Sequence, residues 1–498
     1  LVKLYHDGAE VDEAVPNSEA WKDGAVLQVG GVKYSVQRNP PTLTVAELPA
    51  SMLAGYPVCP KLAVEFGSLQ DCQYSWYKDR PSAMRSGTPE STSRPIGTSA
   101  AGSDSFAPPG TERGGGPSKE LLLLGAVEAG PGTCTFDTRH MYTVKGTAWP
   151  TVRVVSYNVL ADVYAQTELS KTVLYPYCAP YALQLDYRQN LIKKELSGYN
   201  ADIVCLQEVD KGRSIRTFSL RLFGPIARTH AGLGCPSSGV FADSLTPALD
   251  AFGLDGVFRI KDKQHEGLAT FYRSQAAGGF RLLSQHDVVL SVALTSHHIH
   301  SELLESISAN GALKEKMLKR STSLQVSVLE DLTVPGRKVC VANTHLYWHP
   351  KGGNIRLFQM GVALKHLSHV ISEAAPGAPL VFCGDFNSSP DSGVFRLMTE
   401  AAVPQQHADW SSSGPDESCS TELLSAFPPF LSACAQPAYT NYVGGFHGCL
   451  DYIFIQPHKM QVEQVIPLPT HQEVTTYAAL PSVAHPSDHI ALVCDLRW

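Results

Sequence analysis

Six apolar runs in this chain stop abruptly at residues that bind metals, phosphates or protons. Val152–Tyr157 ends at Asn158, and Ile203–Leu206 ends at Gln207 and Glu208. Val339–Ala342 runs into Asn343-Thr344-His345, and Leu380–Cys383 into Gly384-Asp385-Phe386-Asn387. Gly448–Leu450 leads to Asp451, and Ser487-Asp488-His489 precedes a last apolar run at Ile490–Leu496. A buried sheet is destabilised by unpaired polar groups. Polar residues placed repeatedly at strand ends therefore imply one shared, hydrated site at one edge of the sheets.

The residue types suit one chemistry. Glu208, Asp385 and Asn387 are oxygen donors, which favour hard Mg²⁺ over zinc. His345 and His489 can donate to phosphate oxygens or protonate a leaving group, and Asp451 and Asp488 can orient them or a water. Phosphodiester cleavage needs this set: a metal to neutralise charge, an aligned water and acid–base help. Taken singly each piece is weak. A carboxylate after a strand is commonly a solvated end, a lone His345 a satisfied core histidine, and Gly384–Pro390 a turn rich in turn formers. Six coincidences in one chain are not explained that way.

Strand candidates at Val152–Ser156, Ile203–Leu206, Lys338–Ala342, Leu380–Cys383, Tyr452–Ile455 and Ile490–Leu496 alternate with helix candidates at Tyr187–Leu196, Ser244–Ala251 and Ile355–Leu367. The alternation predicts a large α/β or α+β catalytic domain over 149–498. Residues 1–148 read as a β-rich domain, with short runs at Ala25–Val29 and Val32–Val36. A Ser/Thr/Gly/Pro segment at about 80–119 interrupts it and is expected to be flexible. Order is expected to resume at Leu121–Val127 and Thr133–Phe136, returning to the same β unit.

Composition excludes little. Of 498 residues, 17% are charged and the formal net charge is −7, so nucleic-acid binding cannot rest on a whole-chain basic field. Twelve cysteines include no C-x-x-C pair, and Cys205, Cys340, Cys383 and Cys494 sit in strand-like runs. They read as reduced, buried small hydrophobes, which suits cytosol, nucleus or mitochondrial matrix better than secretion. No apolar run approaches the roughly 18 residues that span a bilayer, so no membrane association is expected. The opening at Leu1, without an initiator Met, is expected to be that of a truncated or mature form whose signal peptide or Arg-rich transit segment was cut off or never present. No obligate protein partner is evident.

The ordered set S-Y-N (156–158), L-Q-E (206–208), T-H-L (344–346), G-D-F-N (384–387), L-D-Y (450–452) and S-D-H (487–489) resembles the endonuclease/exonuclease/phosphatase superfamily over about Val152 to Trp498. Asn343–Pro350 with Arg356 and Gln359, and Tyr439–Tyr442, are similar to the carbon-catabolite-repressor-type deadenylases and nocturnin. Leu174–Leu183, Tyr442–Ile455, Asn39–Pro41 and Pro57–Leu62 resemble the mitochondrial 2′-phosphodiesterases, and that likeness spans nearly the whole chain. The resemblance implies a four-layer α/β sandwich preceded by the β-rich accessory domain. It implies a 3′-end exoribonuclease acting on 2′,5′-linked oligoadenylate and poly(A) RNA, releasing 5′-AMP with one or two Mg²⁺ ions, Mn²⁺ being able to substitute. Glu208, Asp385 and Asn387 would hold the metal, Asp385 also moving a proton to or from the attacking water. His345, Asp488 and His489 would bind and polarise the phosphate, with Asn158 and Asp451 completing the shell. Phe446 would stack an adenine, Pro350 would flank it, and Asn387 or Asn441 would help choose the base. The matrix of the mitochondrion is the implied location.

One stretch departs from the pattern. Residues 211–239 carry five basic and no acidic side chains directly after Glu208-Val209-Asp210. They are either a basic loop that adds phosphate contacts or the unpatterned product of a retained intron, and the second reading is preferred. Three functions stay open: the adenylate exonuclease; a DNA endonuclease or lipid phosphodiesterase of the same superfamily; and a catalytically impaired RNA-binding form, should 211–239 be genuine.

Overall fold

The computed structural model describes residues 2–12, 14–15, 20–21, 24–36, 42–48, 52, 61–65, 73–76, 97–100, 130–210, 240–261 and 264–498. The chain forms two compact units, Leu1–Pro49 with Pro60–Gly125, and Ala50–Cys59 with Ala126–Trp498.

The first unit is β-rich. Ala9–Glu10, Val2–His6, Val26–Val29 and Val32–Ser35 form a four-stranded antiparallel sheet in that order. Asp7 and Gly8 turn its first hairpin at φ 50° and 82°, the left-handed pair that an Asp-Gly loop supplies. Thr42–Glu47 pairs with Lys61–Glu65, and Gln73–Trp76 with Gly97–Ala100. The last of these strands falls inside the segment expected to be flexible at about 80–119, whose other residues lie outside the described ones, as do Leu121–Val127 and 211–239.

The second unit is built on two sheets. One runs Leu254–Ile260, Glu266–Arg273, Ile203–Asp210, Thr151–Asn158, Leu492–Arg497, Gln461–Val465. The other runs Phe280–Gln285, Ser323–Asp331, Lys338–His345, Leu380–Asp385, Asp451–Ile455, Leu431–Ser432. Residues alternate between the two faces of each strand. Val154, Cys205, Val341, Val381, Cys383, Ile453 and Cys494 meet in the core between the sheets. Val155, Val204 and Leu206 pack outward on Ile192, Leu196, Leu245 and Leu249, from the helices Leu185–Gly198 and Val240–Ala251. Cys340, Ala342 and Phe382 pack outward on Phe358, Val362 and Leu367 of the helix Gly353–Ala374. The result is the four-layer helix–sheet–sheet–helix sandwich that the sequence resemblance implied. Buried amides hold the sheets in register: Gln207 Nε2 donates to Asn343 Oδ1 (2.9 Å), and Asn343 Nδ2 to the carbonyls of Leu206 and Ala269 (both 3.0 Å).

Strand direction gathers the polar ends. Ile203–Asp210 is parallel to Thr151–Asn158, and Lys338–His345 is parallel to Leu380–Asp385. All four strands carry their site residues at or near their ends, while Asp451 starts an antiparallel strand and His489 lies three residues ahead of another, Leu492–Arg497. Within the second sheet His345 is directly opposite Asp385, and Asp385 opposite Asp451.

Thr133–Phe136 corrects an expectation. These residues form no strand of the β-rich unit. The Cys134 amide donates to Asp137 Oδ2 (2.7 Å), which closes a turn ahead of the short helix Asp137–His140. Phe136 is fully buried against Leu183, Tyr187 and Leu191 of the catalytic unit.

Candidate active site

Asp385 Oδ2 is the hub of the rim. It accepts from Asn158 Nδ2 at 3.0 Å, and it lies 3.5 Å from His345 Nε2 and 3.6 Å from His489 Nε2. Its other oxygen accepts the Asn387 amide (3.0 Å). Asn387 sits at φ 47°, a left-handed conformation that Asn tolerates better than most residues. Its Nδ2 donates to Leu346 O (3.0 Å), which leaves the side-chain oxygen as its donor to a cation. Gly384, ahead of the hub, is required by packing, because a Cβ there would stand 2.4 Å from Thr344 O on the neighbouring strand.

Glu208 arrives by a different device. The strand pairing shifts between Leu206 and Val209, and Glu208 takes φ 57° inside this bulge. Bulges re-aim side chains, and a non-glycine residue in this conformation carries strain of about 1–3 kcal/mol. Glu208 Oε1 accepts from the same Asn158 Nδ2 (3.0 Å), and Oε2 from the Ala161 amide (2.9 Å). Two carboxylates thus share one amide nitrogen. Burial, with the nearby charge of Asp488, pushes Glu208 up to about 8. Burial and Asp451 push Asp385 up to about 6. The protein alone under-neutralises this cluster. A hard divalent cation on Glu208, Asp385 and Asn387 would supply the missing positive charge, and these oxygen donors are of the kind that suits Mg²⁺. Asp385, Asp451 and His489 also lie close enough for a shared ion. There, however, His489 and Asp451 are already bonded to each other, which makes them a proton-handling pair.

His489 Nδ1–H donates to Asp451 Oδ2 (2.8 Å), and Thr440 Oγ1 donates to the same oxygen (2.6 Å). Burial disfavours charge on His489, but Asp451 and Asp385 outweigh it and hold the imidazole's pKa well above its usual value. A charged His489 presents Nε2–H towards the hub. His345 is its opposite: burial, Lys261 and His489 hold it neutral. The two histidines of the rim are therefore biased in opposite senses, His489 towards the charged form and His345 towards the neutral one.

Asp488 faces the rim from the other side, with Oδ2 accepting from Tyr175 Oη (2.9 Å). Asn441 is buried and donates through Nδ2 to Asp488 O (3.2 Å). Phe446 is half exposed on the hairpin Asn441–Val443/Phe446–Gly448, and Pro350 is exposed in the loop five residues beyond His345. The structure brings Asn158, Glu208, His345, Asp385, Asn387, Asp451 and His489 into one cluster. Asp488 and Asn441 join it through neighbouring backbone, whereas Phe446, on its hairpin strand, and Pro350, in its loop, form no hydrogen bond or ion pair with it among the described residues.

Sequence reasoning missed three contributors. Thr440 lay within a quoted motif but had no assigned task. Lys261 and Glu266, an ion pair at 2.5 Å whose charges act on His345 and Glu208, belong to no motif. Tyr175 is the third, signalled only by its place in Leu174–Leu183. Three tyrosine hydroxyls of this region tie down the loop before His489: Tyr175 on Asp488, Tyr177 on Leu480 O (2.5 Å) and Tyr187 on Val483 O (2.7 Å). Only the first reaches a site carboxylate. A hydrogen bond to a charged group is worth about 1.5–3 kcal/mol. Tyr175→Phe is expected to lower kcat at least about tenfold with KM within about twofold, while Tyr177→Phe acts on the melting temperature alone. Steady-state kinetics beside thermal melts decide this, and equal behaviour of the two variants would remove Tyr175 from the site.

Residues 155–489 match the endonuclease/exonuclease/phosphatase family, and residues 40–113 match the 2′,5′-phosphodiesterase 12-like N-terminal domain. The chain is 55% identical over 520 residues to 2′,5′-phosphodiesterase 12 of Mus musculus, covering 100% of this chain and 80% of that protein. It is 28% identical over 386 residues to carbon catabolite repressor protein 4 homolog 1 of Arabidopsis thaliana, covering 70% of this chain and 57% of that one. Among solved structures, ANGEL2, described as a 2′,3′-cyclic phosphatase, shares the fold at a TM-score of 0.51 and 22% identity, over 70% of this chain and 95% of that one.

Proposed function

The chain belongs to the endonuclease/exonuclease/phosphatase family, in its 2′,5′-phosphodiesterase 12-like branch, and from that premise we propose that it is a Mg²⁺-dependent 3′-end exoribonuclease that removes adenylates from 2′,5′-linked oligoadenylate and poly(A), releasing 5′-AMP. The observation that carries the reading is the convergence of Asn158, His345 and His489 on Asp385 Oδ2, beside a second buried carboxylate that shares the Asn158 amide. The name of the mouse relative supports the 2′,5′ linkage, and the matrix of the mitochondrion is the location we propose from the sequence resemblance.

Glu208, Asp385 and Asn387 would hold Mg²⁺, one or two ions, which would neutralise charge on the phosphate and favour deprotonation of the attacking water. The protein's own groups do the rest. Phe446 and Pro350 clamp the terminal adenine between them, while Asn387 or Asn441 meets its edge. Asp385 takes the proton of the attacking water as the new P–O bond forms. The bond to the ribose oxygen of the preceding nucleotide breaks, and His489, backed by Asp451 and Thr440, gives that oxygen a proton. His345 donates to the phosphate and holds it in line, while Asn158 fixes the Glu208 and Asp385 carboxylates and Asp488 fixes the Tyr175 hydroxyl around it.

Purified chain given 2′,5′- and 3′,5′-linked oligoadenylates is expected to release AMP from both with Mg²⁺ and from neither with EDTA. Release undiminished by EDTA would sink the metal assignment. No release from either with Mg²⁺ would point to the impaired RNA-binding reading, and repeating the assay with 211–239 deleted tests whether that segment is the cause.

A further inference from the structure

The loop that follows His345 displays an aromatic surface that the reaction above does not use. Trp348 is 67% exposed. Burying an indole is strongly favourable, and indoles are enriched where surfaces bind something.

The loop that carries it is held rigidly from beneath. Arg356, only 6% exposed, donates from Nη1 to Tyr347 O (2.9 Å) and His349 O (2.7 Å), and from Nη2 to Pro350 O (3.4 Å). The Tyr347 amide donates to Gln359 Oε1 (3.0 Å). Gly352 closes the turn, since a Cβ there would stand 2.6 Å from the Tyr347 ring. The His349 ring lies 5.3 Å from Trp348. A loop braced this way keeps the indole in place without a ligand, which lowers the entropy lost on stacking.

Two cations lie close to this loop. Arg320 lies over the Tyr347 ring (5.0 Å), and Lys351 follows Pro350. Neither forms an ion pair among the described residues. Arg320 Nε donates to Lys316 O (3.2 Å), and the Lys351 amide donates to His349 Nδ1 (3.1 Å). An exposed aromatic plane with uncompensated cations, three residues past a site histidine, is the pattern that tracks single-stranded nucleic acid: bases on the rings, phosphates on the cations.

We infer that Trp348 is a stacking platform for the base of the nucleotide on the leaving-group side of the scissile bond, with Arg320 and Lys351 attracting the phosphate beyond it. This rests on the exonuclease reading and adds a second subsite to it. Stacking tolerates any base, so the platform favours a chain over a mononucleotide ester without selecting its sequence.

The test uses two adenylate tetramers that differ only in whether the penultimate nucleotide bears its base or is abasic. On the base-bearing tetramer, Trp348→Ala lowers kcat/KM by between about fivefold and a hundredfold, and Trp348→Tyr recovers most of the loss. On the abasic tetramer the unsubstituted chain is already slow and Trp348→Ala makes it no slower, whereas Phe446→Ala slows both. Thermal melts confirm that the exposed position leaves the fold intact. Equal loss on the two tetramers, or loss on neither, overturns the platform and leaves the exonuclease standing. If the unsubstituted chain cleaves neither tetramer, both readings fall.

Discussion

Asp385→Asn is expected to lower AMP release by at least about four orders of magnitude. The substitution keeps the shape but removes the charge that faces a cation and the oxygen that takes a proton. General acid–base help alone contributes about 10²–10⁴-fold, and charge stabilisation at a metal adds several kcal/mol. A second effect runs the other way. Asp385 shares the Asn158 amide with Glu208 and is directly opposite Asp451, and in the metal-free chain burial and Asp451 work against its ionisation. The metal-free variant should therefore melt above the unsubstituted chain, a gain in stability at the expense of activity. Single-turnover assays and melts in EDTA measure both, with Asp391→Asn as the control. Asp391 follows the same turn but is exposed, and its carboxylate accepts only from Ser389 among the described residues. Activity of Asp385→Asn within tenfold of the unsubstituted chain would remove it from proton transfer and leave the role to another group.

The site was legible in the sequence because its members end strands. A run of buried residues that halts at a polar one announces its own position, and parallel pairing then brings those halts to one edge. What the sequence could not announce is register. The bulge that turns Glu208 inward is a one-residue shift against Glu266–Arg273, and no periodicity encodes it. Whole strands were missed for a related reason. Ser323–Asp331 is buried almost throughout, yet it carries Gln325 and Ser327. Gln325 is satisfied there because it donates to Val257 O (2.9 Å) and accepts from Thr270 Oγ1 (2.7 Å). Polar residues that satisfy each other across a core erase the apolar run that would have revealed the strand. Thr133–Phe136 failed in the opposite sense. Its β-like composition is overridden by one carboxylate that closes a turn. Lys261 and Glu266 flank a short connection between strands, where neither motif nor period reaches.

The same competition between charge and burial sets the largest stability effect expected away from the rim. Arg153 is on the strand that delivers Asn158, and it is directly opposite Asp495. Its Nε and Nη2 donate to the two carboxylate oxygens at 2.7 and 3.0 Å, and Nη1 donates to the carbonyls of Lys145 and Tyr199, both at 3.0 Å. Arg153 is 3% exposed and Asp495 5%, so water replaces none of these bonds if one partner is lost. Arg153→Leu should destabilise the catalytic unit by about 3–5 kcal/mol, because the remaining charge is stranded in a low-dielectric core. Arg153→Leu with Asp495→Leu should recover much of that, since an apolar pair of similar volume removes the stranded charge. Urea midpoints of the two variants distinguish the cases. If the single substitution costs less than about 1 kcal/mol, the pair is solvated and the argument fails. If the double variant is no better than the single one, the lost carbonyl contacts dominate. In either case kcat well below the melting transition should stay near its original value, because Arg153 supports the strand that presents Asn158 without touching the site.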